Sequence, residues 1–352
     1  MGLPFRLSSL VKEPTTSTRR ERRTQRRPGV REVAARAGVA MSSVSRVLSE
    51  HPDVSPDMRD RVLAAVGELG YYPNVLAQGL RSQRTMSVGF AASNITNAVL
   101  AETAVGAEGE LRRAGYGLLL TDAGGDPLQD VANIAMLGRR RVDGILLAHG
   151  DERHRRVNAC LKQVDIPLVL IDRDPPRGVK IPSVGFDHRS GMRAAAEHLR
   201  LLGHRRVAMI VGGPRRAARE RRAGVQDVFD RCEILEGDFS IEFGYRAAVE
   251  LIGRRPRPTA LVAGGNTLMH GALRALRDAS LTLGADVSFV GCDDVAVAEF
   301  HQPQIALVRR RPREAGVRGA QLLIQILSED GEPENVLLPT WFAAAASCAP
   351  PP

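Results

Sequence analysis

Residues 30–47, Val-Arg-Glu-Val-Ala-Ala-Arg-Ala-Gly-Val-Ala-Met-Ser-Ser-Val-Ser-Arg-Val, leave a chain few ways to fold. Small or apolar residues fall wherever two helices crossing over a tight turn must touch. Ala34 permits close helix approach, Gly38 permits a left-handed turn, and Val33, Ala37, Val39, Val44 and Val47 form the face to be buried. A generic amphipathic hairpin would seldom hold all of these in register, so the pattern predicts a helix-turn-helix. In that motif the second helix, here residues 41–48, enters the DNA major groove with its N-terminal residues toward base edges. Arg46 can donate twice to a guanine, Ser42 can bond to several bases, and Met41 offers apolar contact. Ser43 and Ser45 suit phosphate oxygens, which fix register without reading sequence.

A third helix is expected after Ser55 as N-cap, with Pro56 at its first position, Asp57 at the positive end of its dipole and Gly70 as its stop. Met58, Val62, Val66 and Leu69 recur at helical spacing and close the small core.

From Met86 onward the pattern changes. Strand-sized apolar runs at 88–91, 117–121, 144–148, 168–172, 207–211, 260–263 and 288–291 read as buried strands, and helix-length segments such as 98–114, 189–202 and 268–279 lie between them. Such alternation implies parallel sheets covered on both faces. With 352 residues there are too many units for one compact sheet, so two α/β lobes with a cleft between them are expected. The apolar runs are far shorter than the roughly 18 to 20 residues that span a bilayer, so no membrane partner is expected.

Residues 1–28 are polar and rich in Ser, Thr and Arg; they read as a disordered basic tail. The pairs Arg19/Arg20, Arg22/Arg23 and Arg26/Arg27 suit either flanking phosphates or plain solvation. A net charge of +9 fits a polyanion partner, although an arginine-rich composition can also reflect a GC-rich genome. No export signal is read in the short stretch 5–11, which Arg6 and two serines interrupt. Cys160, Cys232, Cys292 and Cys348 are scattered without a Cys-x-x-Cys pair, so neither a disulfide framework nor a metal site is indicated and a reducing cytoplasm fits. Nucleotide loops and metalloprotease spacings are absent, and His188, His198 and His204 lack metal-site spacing, which argues against an enzyme and against a cofactor. An exported binding protein of similar core fold is the other alternative; the missing signal and the helix-turn-helix oppose it.

The stretch Tyr71-Tyr72-Pro73-Asn74-Val75-Leu76-Ala77-Gln78-Gly79-Leu80 resembles the hinge segment of the LacI/GalR family of bacterial regulators, and the resemblance runs from about Gly29 to the C-terminus. Asn74 caps a helix of only about six residues, well below the roughly 12 to 15 that are marginal alone in water. The resemblance implies that two hinge helices, one per subunit, fold together in the minor groove, where Ala77 lies against the groove and Leu80 wedges between base pairs. A flexible linker is the competing reading. Gly29 and Ala40 stand where the family has Ser or Thr caps; Ala costs about 1 kcal/mol there.

Further landmarks come in Val142-Asp143-Gly144-Ile145, Leu170-Ile171-Asp172-Arg173, Gly203-His204-Arg205, Glu220-Arg221 and Val290-Gly291-Cys292-Asp293-Asp294. These resemble the family's core, which is similar to periplasmic sugar-binding proteins. Asp172 and Asp293 end apolar runs and Arg221 lies near a helix start, so all three can point into a cleft and bind hydroxyls through charge-assisted hydrogen bonds. Alternatively the two aspartates only cap the next stretch of backbone. Gly265-Asn266 stands where the family often has Asn-Asp, which makes Asn266 the fourth candidate. Arg215, Arg216, Arg219, Arg221 and Arg222 crowd one edge of the expected cleft, which suits an anionic effector or else a solvated basic face.

The expected organisation is a tail (1–28), a helix-turn-helix domain (29–72), a hinge (73–84) and an effector-binding and dimerisation domain (85–352) with lobes of about 85–184 plus 307–332 and 185–306 plus 333–347. The resemblance implies a homodimer on palindromic operator DNA, with a sugar or phosphorylated sugar as effector and repression as the default.

Overall fold

The computed structural model describes residues 28–48, 51–71, 84–293, 298, 300–329 and 333–352, which fall into two units divided after Ser82. The expected tail and the hinge residues Asn74, Ala77 and Leu80 lie outside the described residues.

The first unit holds α1 (Val30–Ala37), α2 (Met41–Leu48) and α3 (Pro56–Leu69). The main-chain N–H of Gly29 donates to Glu32 Oε2 at 2.9 Å, so a reaching acid replaces the missing cap side chain. Gly38 turns the chain at φ 63°, and a side chain would be strained there. No side chain caps α2; the N–H groups of Ser43 and Val44 reach the Ala40 carbonyl at 3.0 and 3.2 Å. At α3, Ser55 Oγ accepts from Met58 N–H, and Gly70 ends the helix at φ 58°. Val33, Ala34, Ala37, Val44, Val47, Val62 and Ala65 form the core, with Val39, Met58, Val66 and Leu69 half-buried against it.

Two six-stranded sheets make up the second unit. The first contains β1 (Ser87–Ala92), β2 (Gly117–Asp122), β3 (Gly144–Ala148), β4 (Leu168–Ile171), β5 (Ser183–Phe186) and β11 (Val336–Leu338), ordered β11-β5-β4-β3-β1-β2. The second contains β6 (Val207–Gly212), β7 (Glu233–Gly237), β8 (Ala260–Ala263), β9 (Ser288–Cys292), β10 (Ala306–Arg309) and β12 (Trp341–Ala343), ordered β12-β10-β9-β8-β6-β7. Every pairing is parallel except β10 with β12. Helices α4 (Ala98–Arg113), α5 (Pro127–Arg139), α6 (Arg155–Gln163) and α11 (Pro312–Ser328) belong to the first lobe, and α7 (His188–Leu201), α8 (Arg216–Gln226), α9 (Ile241–Gly253) and α10 (Asn266–Asp278) to the second.

Two expectations need correction. The run at 117–121 is a strand, but β2 is an edge strand and is largely exposed. The lobes also divide elsewhere than expected. β5 extends the first sheet to Phe186, β10 puts residues 306–309 in the second, and β11 returns residues 336–338 to the first, where Leu338 pairs with Phe186. The chain thus crosses between lobes after β5, β10 and β11. Strands of three or four residues carry too little pattern to be assigned to a sheet, because their partner comes from the crossing and not from local sequence.

Helices α4 and α11 approach so closely that glycine is needed on both. A Cβ on Gly106 would lie 2.1 Å from the Arg313 carbonyl oxygen, and one on Gly316 would lie 1.9 Å from that of Thr103. This packing fixes α11 over the first sheet and so positions the β10 to α11 connection that carries Arg310.

Candidate functional site

A cavity of about 650 Å³ lies between the two lobes at the C-terminal ends of their strands. That placement is a consequence of parallel sheets, where strand ends converge on a crevice. Its apolar wall includes Val99, Leu100, Phe186 and Phe239, and its polar wall includes Asn94, Asn97, Ser240 and Asn266. Room for the Phe239 ring comes from glycine: a Cβ on Gly265 would lie 2.3 Å from it, and one on Gly212 2.5 Å. The departure at Gly265 therefore admits an aromatic wall. Beside it Asn266, buried at the head of α10, donates to Asn97 Oδ1 across the lobes at 2.9 Å.

Asp172 follows β4 and lines the cavity, with a left-handed backbone at φ 53°. Its carboxylate accepts from His188 Nε2 at 2.9 Å and from Arg310 Nη1 at 2.8 Å. It makes no cap. Burial alone would raise its pKa, yet His188, Arg310 and Arg173 hold it well below the usual carboxylate range. Burial pushes His188 down to about 4 against the pull of Asp172, so the ring is neutral and donates through Nε2. Asp293 follows β9, also left-handed at φ 71°, and lies behind the cavity instead of lining it. It binds Arg310 Nε at 2.6 Å and stands 3.8 Å from Arg221 Nη2. Arg310 and Arg221 hold its carboxyl below the usual range despite burial. Asp172, Arg221 and Asn266 thus reach the cavity, while Asp293 supports it.

Sequence reading missed Arg310. It lines the cavity between the two aspartates, and its guanidinium carbon lies 4.8 Å from the centre of the Phe186 ring. The available signal was Arg309-Arg310-Arg311 directly after an apolar run.

The five crowded arginines separate into two groups. Arg219 binds Glu152 at 2.7 Å and also pairs with Asp174. Arg216 contacts Asp174 at 3.3 Å and donates to the Phe186 carbonyl at 2.8 Å, and its main-chain N–H donates to Glu152 at 2.8 Å. Arg222 pairs with Glu236. Only Arg215 and Arg221 line the cavity, joined by Arg173 from the first lobe. The acids around the head of α8 therefore latch that helix to the first lobe.

In the first unit, burial of Val44 and Val47 turns the other face of α2 outward. Met41, Ser42 and Arg46 are exposed there, and Ser43 and Ser45 are half-buried.

The comparisons agree with this arrangement. The description "Bacterial regulatory proteins, lacI family" matches residues 30–74, and "Periplasmic binding protein-like domain" matches residues 196–348. The HTH-type transcriptional repressor PurR of Klebsiella pneumoniae is 28% identical over 316 residues, covering 87% of this chain and 93% of the relative. A solved lac repressor dimer bound to operator and the anti-inducer ONPF aligns with TM-score 0.81 at 26% identity, over 92% of this chain and 100% of the other. The regulator CelR in complex with cellobiose aligns with TM-score 0.68 at 30% identity, over 91% and 100%. With the HTH-type transcriptional regulator DegA of Bacillus subtilis 30% identical over 81% of this chain and 87% of its own length, the chain belongs to the lacI family of bacterial regulatory proteins, DNA-binding regulators of transcription and not enzymes.

Proposed function

We propose that the chain is a repressor that binds operator DNA as a homodimer and releases or tightens its grip when a small molecule occupies the cavity between its lobes. The observation that carries this reading is the exposed N-terminal face of α2, with Met41, Ser42 and Arg46 outward on a helix whose other face is locked by Val44 and Val47. Met41, Ser42 and Arg46 read bases, and Ser43 and Ser45 hold phosphates. Asn74, Ala77 and Leu80, which lie outside the described residues, contact the minor groove in this reading. Residues 29–72 form the DNA-binding domain, 73–84 the hinge, and the two lobes the effector domain. The related lac repressor is a dimer on its operator, and CelR takes cellobiose. Exposed Val105, Leu119, Leu120 and Leu128 give the first lobe an apolar face for a second copy.

In the cavity, Asp172, Arg221 and Asn266 bind the effector, with Asp293 acting through Arg310. Effector alters lobe closure and thereby the spacing of the two hinges. Such a protein works in the cytoplasm, on the nucleoid. Sequencing of genomic fragments retained by the full chain in an electrophoretic shift is the test. A single palindromic site recovered repeatedly is the expected result; uniform retention of all fragments would remove the reading.

A further inference from the structure

Two of the cavity's guanidinium groups are placed unlike the others. Arg173, just after β4, is 6% exposed and donates from Nε to the His149 carbonyl at 2.6 Å and from Nη1 to the Asp172 carbonyl at 2.8 Å. Arg215, just before α8, donates from Nε to the Gly150 carbonyl at 2.6 Å. They come from opposite lobes yet hold consecutive carbonyls, which brings two positive charges side by side. Among the described residues neither forms an ion pair. The surrounding acids are engaged elsewhere: Asp172 with Arg310 and His188, and Glu152 and Asp174 with Arg216 and Arg219. Asp130 accepts from the Gly150 N–H at 2.8 Å with one oxygen, and burial pushes its pKa up to about 6.

The direct partners of Arg173 and Arg215 are neutral carbonyls, and Glu152 and Asp130 act on both only through space, so an anion in contact would offset part of the cost of sheltering two cations. Burial and the charge of Arg173 both pull Arg215 down, to about 10. Arg215 is also pre-set, its guanidinium carbon 5.1 Å from the centre of the Phe239 ring that Gly212 and Gly265 admit.

We propose that Arg173 and Arg215 form an oxyanion subsite in the cavity wall, so that the effector carries a carboxylate or phosphate group beside its hydroxyls and draws the lobes together through it. The inference rests on the reading of the cavity as an effector site. Fork-shaped guanidinium groups suit either oxyanion. Asn94, Asn97, Ser240 and Asn266 suit the hydroxyls of the same molecule. Because one arginine comes from each lobe, the anion contacts both and favours the closed state over the open one.

Calorimetric titration of the full chain with inorganic phosphate, glucose 6-phosphate, gluconate and glucose tests the subsite in wild type, Arg215→Gln and Arg173→Gln. Arg222→Gln is the control, since it removes one positive charge from α8, the helix that Arg215 precedes, while Arg222 pairs with Glu236 outside the cavity. At least one anion is expected to bind wild type and Arg222→Gln alike and to lose about tenfold or more in affinity in whichever subsite variant folds. Glucose is expected to bind more weakly than its phosphate. Equal affinity in all four proteins, glucose bound as tightly as the anions, or no binding by any probe would overturn the subsite. Operator retention measured on the same preparations separates that failure from failure of the regulator reading.

Discussion

Asp172 and Asp293, at the ends of the fourth strand of each lobe's parallel series, share one guanidinium, with Arg310 Nη1 2.8 Å from the first and Nε 2.6 Å from the second. Both aspartates have left-handed backbones, a conformation that Asp tolerates better than most residues. β10 delivers Arg310 at a crossing between lobes, so one side chain pairs with a carboxylate from each.

Replacing Arg310 with Met is expected to strip two buried carboxylates of their shared hydrogen-bonded ion partner and to destabilise the fold by roughly 3 to 5 kcal/mol at neutral pH. Urea unfolding at pH 7 measures this. A loss below about 1 kcal/mol would mean that Arg221 and His188 suffice to hold the aspartates.

Gly106 and Gly109 lie on the same helix and respond oppositely to the same change. A Cβ on Gly106 would meet the Arg313 carbonyl at 2.1 Å, whereas one on Gly109 meets nothing within 4 Å. Gly106→Ala is expected to destabilise by about 1 to 3 kcal/mol through forced separation of α4 and α11. Gly109→Ala should stabilise by up to about 1 kcal/mol through helix propensity. Thermal unfolding of the two variants decides it, and a shared sign would refute the packing argument.

What the sequence made legible was local. The helix-turn-helix could be read because Ala34, Gly38, Val44 and Val47 lie within one short segment whose spacing encodes the contact. The long buried strands could be read because apolar runs need no partner to be recognised. Arg310 could not, since its role depends on a carboxylate 138 residues away. The arginine cluster was hard to read for the same reason: the Arg219 guanidinium is engaged by Glu152, 67 residues distant, and that of Arg216 by Asp174, so charge density in sequence did not mean charge density in the cavity.

Arg46 is exposed on α2, so Arg46→Ala should leave folding nearly unchanged while relaxing operator preference at one base position by about 1 to 3 kcal/mol. Competition shifts against operators substituted position by position measure it. If every position keeps its original preference, Arg46 contacts phosphate and not a base.

Asp130 offers a test in which the direction of the pH effect is fixed in advance. It is 1% exposed, and burial raises its pKa to about 6, despite the Gly150 hydrogen bond and the charges of Arg173 and Arg215. In the unfolded chain it titrates near 3.8. Between those values the folded protein keeps a proton that the unfolded chain has released, so stability falls as pH rises through this window and the loss is complete above it. About two pKa units correspond to roughly 3 kcal/mol. Asp130→Asn keeps an acceptor for the Gly150 N–H and never ionises. It is therefore expected to be more stable than wild type by about 1 to 3 kcal/mol at pH 8, with the advantage shrinking toward pH 4. His149, pushed down to about 3 chiefly by burial, opposes this trend by destabilising the fold as pH drops below 6.5, but it is present in both proteins and cancels in the difference. Urea unfolding of the pair from pH 4.5 to 8 gives the difference directly. A gap that stays constant with pH, or a wild type that is the more stable at pH 8, would mean that the Asp130 pKa is not raised in the fold and that its carboxylate stabilises Arg173 and Arg215 as their counterion across the whole range.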